Sequence, residues 1–281
     1  MKLVLETTLF RKFPQAEALR DIPQCGYEYI EIGYNHFDSC HATDSDIKRL
    51  RAAVDAGHLK PAAIHGVRQL ASLNVRKRTR AVKDMKSIIK NTVKLECGMV
   101  VSELSGDNEK ESKCEKAFRK SISELKDELQ KTNMTLCFEA HPGDFIEDSN
   151  VAVELLESFD LPQLKYLYCI PHTFILGNDP RAMIRKARPL LAYVHVADTL
   201  RPERTFFSET YTPKIRPHQH LIPGRGEIDF DEIFGALTEI KFDGFVTVGP
   251  FRADNPVEVA INTRNYLEKL IASHSANDSQ V

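Results

Sequence analysis

Residues 134–169, MTLCFEAHPGDFIEDSNVAVELLESFDLPQLKYLYC, contain one complete strand–helix–strand unit. An apolar run over 134–139 ends at the carboxylate Glu139, a helical pattern covers 149–158, and a second apolar run covers 164–169. Short apolar runs bounded by turns predict buried strands, and apolar residues at 3.6-residue spacing predict helices. Parallel strands joined through a helix are the repeating unit of α/β folds.

The same unit repeats along the whole chain. Apolar runs predict strands near residues 2–5, 27–33, 60–66, 98–104, 134–139, 164–169, 191–197 and 244–248. Helical patterns lie near residues 14–24, 44–57, 76–95, 110–131, 149–158, 180–188, 230–240 and 256–272. Eight such units in 281 residues fit a closed (β/α)8 barrel, for which about 250 residues is typical.

An open dinucleotide-binding sheet is disfavoured. Such a sheet needs a glycine-rich turn after its first strand, and the sequence contains no GxGxxG motif. We therefore expect an α/β protein with a single (β/α)8 TIM barrel over residues 1–272 and a polar C-terminal tail over 273–281. The longest irregular stretch, roughly 198–229, follows the seventh strand, on the side where a barrel builds its active site.

The composition indicates a cytoplasmic protein that binds neither membranes nor nucleic acids. The six cysteines form no CxxC pair and are expected to be reduced. No apolar stretch approaches the roughly 20 residues of a membrane span, and the N-terminus lacks a signal-peptide core. A net charge of −2 provides no basic surface for a phosphate backbone. The basic segment 76–80 is expected to be a solvated helix face.

Polar residues end most of the predicted strands, where a barrel places its functional groups. They are Glu6, Glu31, His65, Glu103, Glu139, His141, His172 and His195, whereas strand 8 ends at Gly249 without a ligand. A single one of them could be a hydrogen-bonded residue at a sheet edge. Several buried carboxylates and imidazoles together are costly without a cation, and Glu139, His172 and His195 on neighbouring strands therefore predict one shared metal.

The loop segment Arg216-Pro217-His218-Gln219-His220 adds two more imidazoles. In an extended segment His218 and His220 face one side and Gln219 the other, so either the histidines or the amide faces the site. One histidine could ligate a metal while the other shuttles a proton. The following segment, 224–230, is typical of a turn that leads into a helix with an acidic first turn. Arg225 and Arg252 are candidate clamps for a hydroxyl-rich or anionic substrate.

With these segments, the chain resembles the sugar phosphate isomerase/epimerase family, also called xylose isomerase-like TIM barrels, and within it the inositol-catabolism branch. The resemblance spans nearly the whole chain. Its segments are GYEYIE at 26–31, EAHPGDF at 139–145, YCIPHTF at 168–174, HVADT at 195–199, HQH at 218–220 and FDG at 242–244. The metal-dependent endonucleases of abasic DNA share the barrel, but the chain lacks their basic groove.

The resemblance implies a divalent metal, manganese, zinc or cobalt, that binds adjacent oxygens of a keto-sugar or cyclitol. Most of the family uses Glu on strand 5, Asp on strand 6, His on strand 7 and Glu on strand 8. This chain retains Glu139 and His195 but has Ile170 and Gly249 at the other positions. Either other residues replace the missing ligands, or the metal is lost and the barrel is a non-catalytic subunit. We favour replacement, with metal ligands Glu139, His172, His195 and His220.

The expected activity is that of a metal-dependent isomerase or epimerase of a keto-sugar, sugar acid or inositol derivative. The metal would polarise a carbonyl and stabilise an enediolate while a base removes the α-proton. His141 and His218 are candidate bases, and Glu103 is a second acid or base. The alternative enzyme is a lyase that cleaves an oxidised (3-keto) glycoside by elimination. The expected partners are a small carbohydrate or cyclitol substrate and either further copies of the chain or a smaller subunit.

Overall fold

The computed structural model describes residues 1–201, 220–249 and 253–278. Its strands are all parallel and close into a barrel in sequence order, with the last strand paired to the first. They are β1 (Lys2–Glu6), β2 (Tyr29–Ile32), β3 (Lys60–His65), β4 (Met99–Glu103), β5 (Thr135–Glu139), β6 (Leu164–Cys169), β7 (Leu191–Val196) and β8 (Phe245–Val248). This closed sheet confirms the predicted (β/α)8 TIM barrel.

Helices cover the outside of the barrel. In the described part of the chain they are α1 (Gln15–Asp21), α2 (Asp44–Ala56), α3 (Val75–Lys94), α4 (Glu111–Thr132), α5 (Ser149–Glu157), α6 (Ile170–Ile175), α7 (Pro180–Ala187), α8 (Phe230–Glu239) and α9 (Pro256–Asp278). All of them except α6 correspond to predicted helical patterns. A buried aromatic contact shows how they pack: the ring of Phe118 on α4 lies 5.0 Å from that of Phe138 on β5.

The short helix α6 was not predicted, because six residues are too few for helical periodicity to be visible in the sequence. It follows β6 without an intervening loop. Pro171 stands in its first turn, where the missing N–H has no helical partner to lose. The hydroxyl of Thr173 donates to the carbonyl of Cys169 at 3.0 Å. This early turn holds His172 buried at the rim of the barrel.

The interior of the barrel is filled by a layer of inward-facing side chains. Its buried members include Val4, Ala63, Val101, Cys137, Leu167 and Tyr193, with Tyr29 packed against them. Alternate residues of a strand point to the same face, so the residue two positions further along each strand also faces inward. The next layer towards the carboxyl ends therefore contains Glu6, Glu31, His65, Glu103, Glu139, Cys169 and His195. The layer below forms its floor.

The last helix differs from its predicted bounds. It continues to Asp278, whereas the sequence predicted an end near residue 272 and a polar tail from 273. The hydroxyl of Ser273 donates to the carbonyl of Leu270, and the Nε2 atom of His274 lies 3.0 Å from Asp231 of α8. These contacts continue the helix along α8 despite its polar sequence. Residues 279–281 lie outside the described part of the chain.

Membrane insertion finds no support among the described helices, since none of them combines the length and the apolarity that a span requires.

Asp198, just after β7, organises the segment that follows it. Its carboxylate is fully buried and accepts hydrogen bonds from the backbone N–H groups of Thr199, Gly224, Gly226 and Ile228. Its own backbone exchanges two hydrogen bonds with Leu221, at 2.8 and 2.7 Å. A glycine is required at position 226, because a Cβ there would lie 2.1 Å from a carboxylate oxygen of Asp198. Asp198 thus holds residues 221–228 against the barrel.

Replacing Asp198 with Asn should destabilise the protein by about 2–3 kcal/mol, because an amide carries no charge and offers one acceptor oxygen in place of two. Chemical denaturation followed by circular dichroism would measure this change in the free energy of unfolding. Asp243→Asn, at an exposed position after α8, is the matched control and should stay within about 0.5 kcal/mol. Equal stabilities of the two variants would contradict the role assigned to Asp198.

Candidate functional site

A cavity of about 540 Å³ opens at the carboxyl ends of the strands. Its lining is unusually rich in acids and imidazoles, which lie among a few apolar residues. The polar and charged side chains are Glu6, Thr8, Arg11, Tyr34, His65, Arg68, Ser102, Glu103, Glu139, His141, Cys169, His172, His195 and His220. The pairing register of adjacent strands places these side chains next to one another. Glu6 lies beside Glu31, Glu103 beside Glu139, and Cys169 beside His195.

Glu31 on β2 is fully buried and contacts two histidines. Its Oε2 atom lies 3.1 Å from Nε2 of His195, and its Oε1 atom lies 2.6 Å from Nε2 of His65. Burial alone would raise the pKa of Glu31, but the charges and hydrogen bonds of the two imidazoles outweigh burial and lower it. Burial likewise acts to lower the pKa of His195, and attraction to Glu31 raises it to about 9.

Glu139 at the end of β5 faces a second group of donors. Its Oε2 atom lies 3.6 Å from Nδ1 of His172 and 3.8 Å from Nδ1 of His195. A ligand atom of Cys169 lies within 4.8 Å of those of Glu139 and His195. The ring of His220 lies 5.1 Å from that of His172. The structure therefore brings the four predicted metal ligands into one cavity.

Glu103 at the end of β4 lies beside a cation and a second acid. Arg68 reaches both carboxylates, with Nη2 at 2.5 Å from Oε2 of Glu103 and 3.3 Å from Oδ2 of Asp144. Burial and the nearby charge of Glu139 raise the pKa of Glu103 to about 8. Burial also raises the pKa of Asp144, to about 6. The environment of Glu103 therefore favours its protonated form, which can donate a proton.

His141 follows β5 at the rim of the cavity. Its Nδ1 atom lies 2.9 Å from the carbonyl oxygen of Pro142 and must be the donor in this hydrogen bond, since a carbonyl only accepts. In the neutral ring the lone pair is then on Nε2. The His141 ring packs against that of His172 with 4.6 Å between centroids. The structure thus places both His141 and Glu103 at the cavity, while His218 lies outside the described residues.

Cys169 was missed as a site residue by the sequence analysis, which assigned the strand 6 position to Ile170. In the structure Ile170 is fully buried in the core that surrounds the barrel, whereas Cys169 faces the cavity. Strand alternation was the available signal, because Leu167 and Cys169 have the same parity and Leu167 belongs to the interior layer. The thiol had been interpreted only as a small buried side chain.

The space at the end of strand 8, where the family pattern places a metal ligand, is filled by a side chain from β1. Gly249 has a φ of +128°, and a Cβ there would lie 2.9 Å from Cβ and 3.1 Å from Oε2 of Glu6. The carboxylate of Glu6 on β1 therefore fills the room that a side chain at position 249 would need. The sequence analysis listed Glu6 as a polar strand end but gave it no role. Arg225 does not line this cavity, and Arg252 lies outside the described residues.

Similarity to known proteins agrees with this architecture. Inosose dehydratase from Clostridium tetani is 26% identical over 164 residues, which cover 56% of this chain and 55% of that protein. The chain thus spans about half the length of the curated relatives it matches. D-Psicose 3-epimerase from Clostridium cellulolyticum H10, solved with D-tagatose, superposes with a TM-score of 0.78 at 17% identity and covers 96% of this chain and 99% of its own.

A zinc-containing structure has the same fold. The IOLI protein with a bound zinc atom superposes with a TM-score of 0.79 at 19% identity, covering 98% of this chain and 99% of its own. The family model described as the xylose isomerase-like TIM barrel matches residues 19–270. This match covers most of the 281 residues, and the chain belongs to the xylose isomerase-like TIM barrel family.

Proposed function

We propose that this chain is a metal-dependent isomerase or epimerase that removes a proton next to the carbonyl of a keto-sugar, sugar acid or inositol derivative. One observation carries the proposal. Glu139 is buried at the cavity, and its Oε2 atom accepts no hydrogen bond from any described residue. The two imidazoles that face this oxygen lie 3.6 and 3.8 Å away, beyond hydrogen-bond distance. A cation shared by the three side chains would compensate the buried charge more closely, and we expect one there. The zinc-bound neighbour and the sugar epimerase neighbour support this choice.

The donors around Glu139 fit a divalent metal. Carboxylate, imidazole and thiolate are the usual zinc ligands, and the soft thiolate favours zinc or cobalt over manganese. We assign Glu139, Cys169 and His195 as the ligands, with His172 and His220 beside Cys169 as further donors. The chemistry that such an ion supplies when bound is polarisation of a substrate carbonyl, which acidifies the neighbouring C–H group.

Proton transfer then falls to side chains of this chain. His141 is the proposed base, because its Nδ1 proton is held by the Pro142 carbonyl and the basic nitrogen is Nε2. Glu103 is the proposed acid, since burial raises its pKa and favours its protonated form. Arg68 orients the Glu103 carboxyl through its contact with Oε2. His218 remains a candidate that the described residues do not include.

Dehydration is a second candidate, which a specific observation favours. Elimination of a hydroxyl from the enolised substrate needs an acid to protonate the leaving oxygen, and Glu103 is a cavity residue whose pKa is raised by burial. The curated relatives named inosose dehydratase support the same outcome. This reaction belongs to the same class as the lyase alternative, since both begin with removal of an α-proton and end in elimination.

Incubation with keto-inositols, keto-sugars and 3-keto-glycosides in deuterated water would test the function. An isomerase or epimerase should give a product of unchanged composition that carries deuterium at the enolised carbon. A dehydratase or lyase should give an unsaturated product, with loss of water or of the aglycone. Mass spectrometry and NMR distinguish these results. Neither deuterium incorporation nor elimination with any of these compounds, in protein loaded with zinc, cobalt or manganese, would contradict the proposal.

The metal assignment predicts that His195→Ala loses bound metal and activity together. Cys169→Ser should weaken zinc binding by at least about tenfold, the lower limit for loss of even an outer-shell partner, while manganese binding changes less because the lost donor is soft. Competition with a chromogenic chelator measures both affinities. Cys25→Ser is the matched control, because this buried thiol lies away from the cavity. Unchanged zinc affinity in Cys169→Ser would remove this residue from the ligand set.

The acid assignment predicts that Glu103→Gln lowers kcat by about 10²–10⁴-fold, the usual contribution of a general acid. Bound metal should stay unchanged, since Glu103 is not among the proposed ligands. Steady-state kinetics with metal analysis of the same sample would check both statements. Glu157→Gln on the exposed surface of α5 is the control. A variant at position 103 with wild-type kcat would exclude Glu103 as the acid.

A further inference from the structure

A second group of metal-type donors lies at the edge of the cavity, on strands that the proposed metal centre does not use, and two of its members, Glu6 and His65, line the cavity. Glu6, Glu31 and His65 come from β1, β2 and β3, and each offers a ligand atom within 4.8 Å of the other two. The proposed centre uses β5, β6 and β7. Three consecutive strands therefore contribute one donor each in the same layer of the barrel, and Glu31 also contacts His195 of the proposed centre at 3.1 Å.

A carboxylate oxygen of this group is buried without a hydrogen-bond donor among the described residues. Glu6 is 1% exposed, and its Oε2 atom accepts no hydrogen bond from any described residue. The Oε1 atom of Glu31 lies 2.6 Å from Nε2 of His65. Nε2 of His65 also lies 3.6 Å from Oε1 of Glu6. Two buried carboxylates and an imidazole nitrogen thus converge on one region.

The barrel makes room for this convergence. Because position 249 has no side chain, the Glu6 carboxylate can occupy space at the end of β8, as close as 3.1 Å to where a Cβ would stand. Glu6 is thereby kept inside the cavity and away from solvent. Burial of two carboxylates next to each other is costly unless positive charge is bound between them.

We propose that Glu6, Glu31 and His65 form a second divalent-cation site, separate from the centre of Glu139, Cys169 and His195. Two carboxylates and one imidazole without a thiol suit a harder ion, so this site favours Mn²⁺ where the other favours zinc. The assignment rests on the proposed function only in that both ions share one substrate cavity. A cation held by these three residues would supply positive charge to a second oxygen of a polyhydroxylated substrate in the same cavity.

The alternative to a bound cation is a proton on His65. A protonated imidazole would also neutralise the two carboxylates, but it would need no metal and would leave Mn²⁺ binding independent of Glu6. The two cases differ in the number of Mn²⁺ ions that the protein binds and in the residues on which each ion depends.

Titration of metal-stripped full-length protein with Mn²⁺, followed by calorimetry and by electron paramagnetic resonance of the free ion, tests the proposal. Wild-type protein should bind two equivalents. Glu6→Gln and His65→Gln, which preserve hydrogen-bonding side chains, should each weaken one of them by at least tenfold and leave the other. Glu28→Gln is the matched control, because this exposed carboxylate pairs with Lys60 outside the cavity. Circular dichroism of each variant confirms that the barrel is folded.

The outcomes separate this site from the proposed metal centre. One equivalent that is lost in Glu139→Gln and retained in Glu6→Gln and His65→Gln overturns the second site and leaves the proposed function standing. One equivalent that is lost in Glu6→Gln and His65→Gln and retained in Glu139→Gln supports the second site and contradicts the centre at Glu139. Wild-type protein that binds no Mn²⁺ and no zinc contradicts both. Equal binding by wild type, Glu6→Gln and His65→Gln means that a proton occupies the position.

Discussion

The carboxylate of Glu31 is the constraint on which the arrangement of the site depends. It has no solvent exposure, and its oxygens lie 2.6 Å from His65 and 3.1 Å from His195. A buried carboxylate is tolerated only when such partners compensate it. The contact also orients His195: with Nε2 turned to Glu31, Nδ1 is the nitrogen that faces Glu139 at 3.8 Å. A partner on the far nitrogen is how proteins fix which nitrogen of a histidine is available to a ligand.

Strand alternation explains why so many polar groups share one level of the barrel. Apolar side chains such as Cys137, Leu167 and Tyr193 fill the layer below, and the next inward residue of each strand stands directly above this floor. The apolar floor keeps water out from underneath, which strengthens electrostatic interactions among the groups above it. The raised pKa of Glu103 is one result, because burial and its neighbour Glu139 both disfavour a second negative charge.

Sequence patterns predicted the barrel and all its strands, because apolar runs and polar strand ends are local signals. Eight of the polar residues named from the sequence line the cavity in the described part of the chain. The patterns did not predict α6, which is too short for a period, or the role of Asp198, which depends on backbone groups from residues 224–228 that are distant in sequence. Cys169 was hidden for a different reason: a thiol in an apolar run is as compatible with a core as with a ligand. The proximity of Cys169 to Glu139 and His195 in the folded barrel is what identifies it as a candidate ligand.

The chain differs from the family pattern at the ends of strands 6 and 8, and carboxylates on other strands accompany these differences. The family pattern implied by the sequence places carboxylates on strands 5, 6 and 8 around one ion. Here strand 6 contributes the thiol of Cys169 and strand 8 contributes Gly249, while buried carboxylates stand on β1 and β2 at Glu6 and Glu31. Because Glu6 fills the space beside Gly249, the glycine and the displaced carboxylate depend on each other. Glu6 on β1 and the pair Glu103 and Glu139 on β4 and β5 therefore make the cavity lining acidic on more than one side.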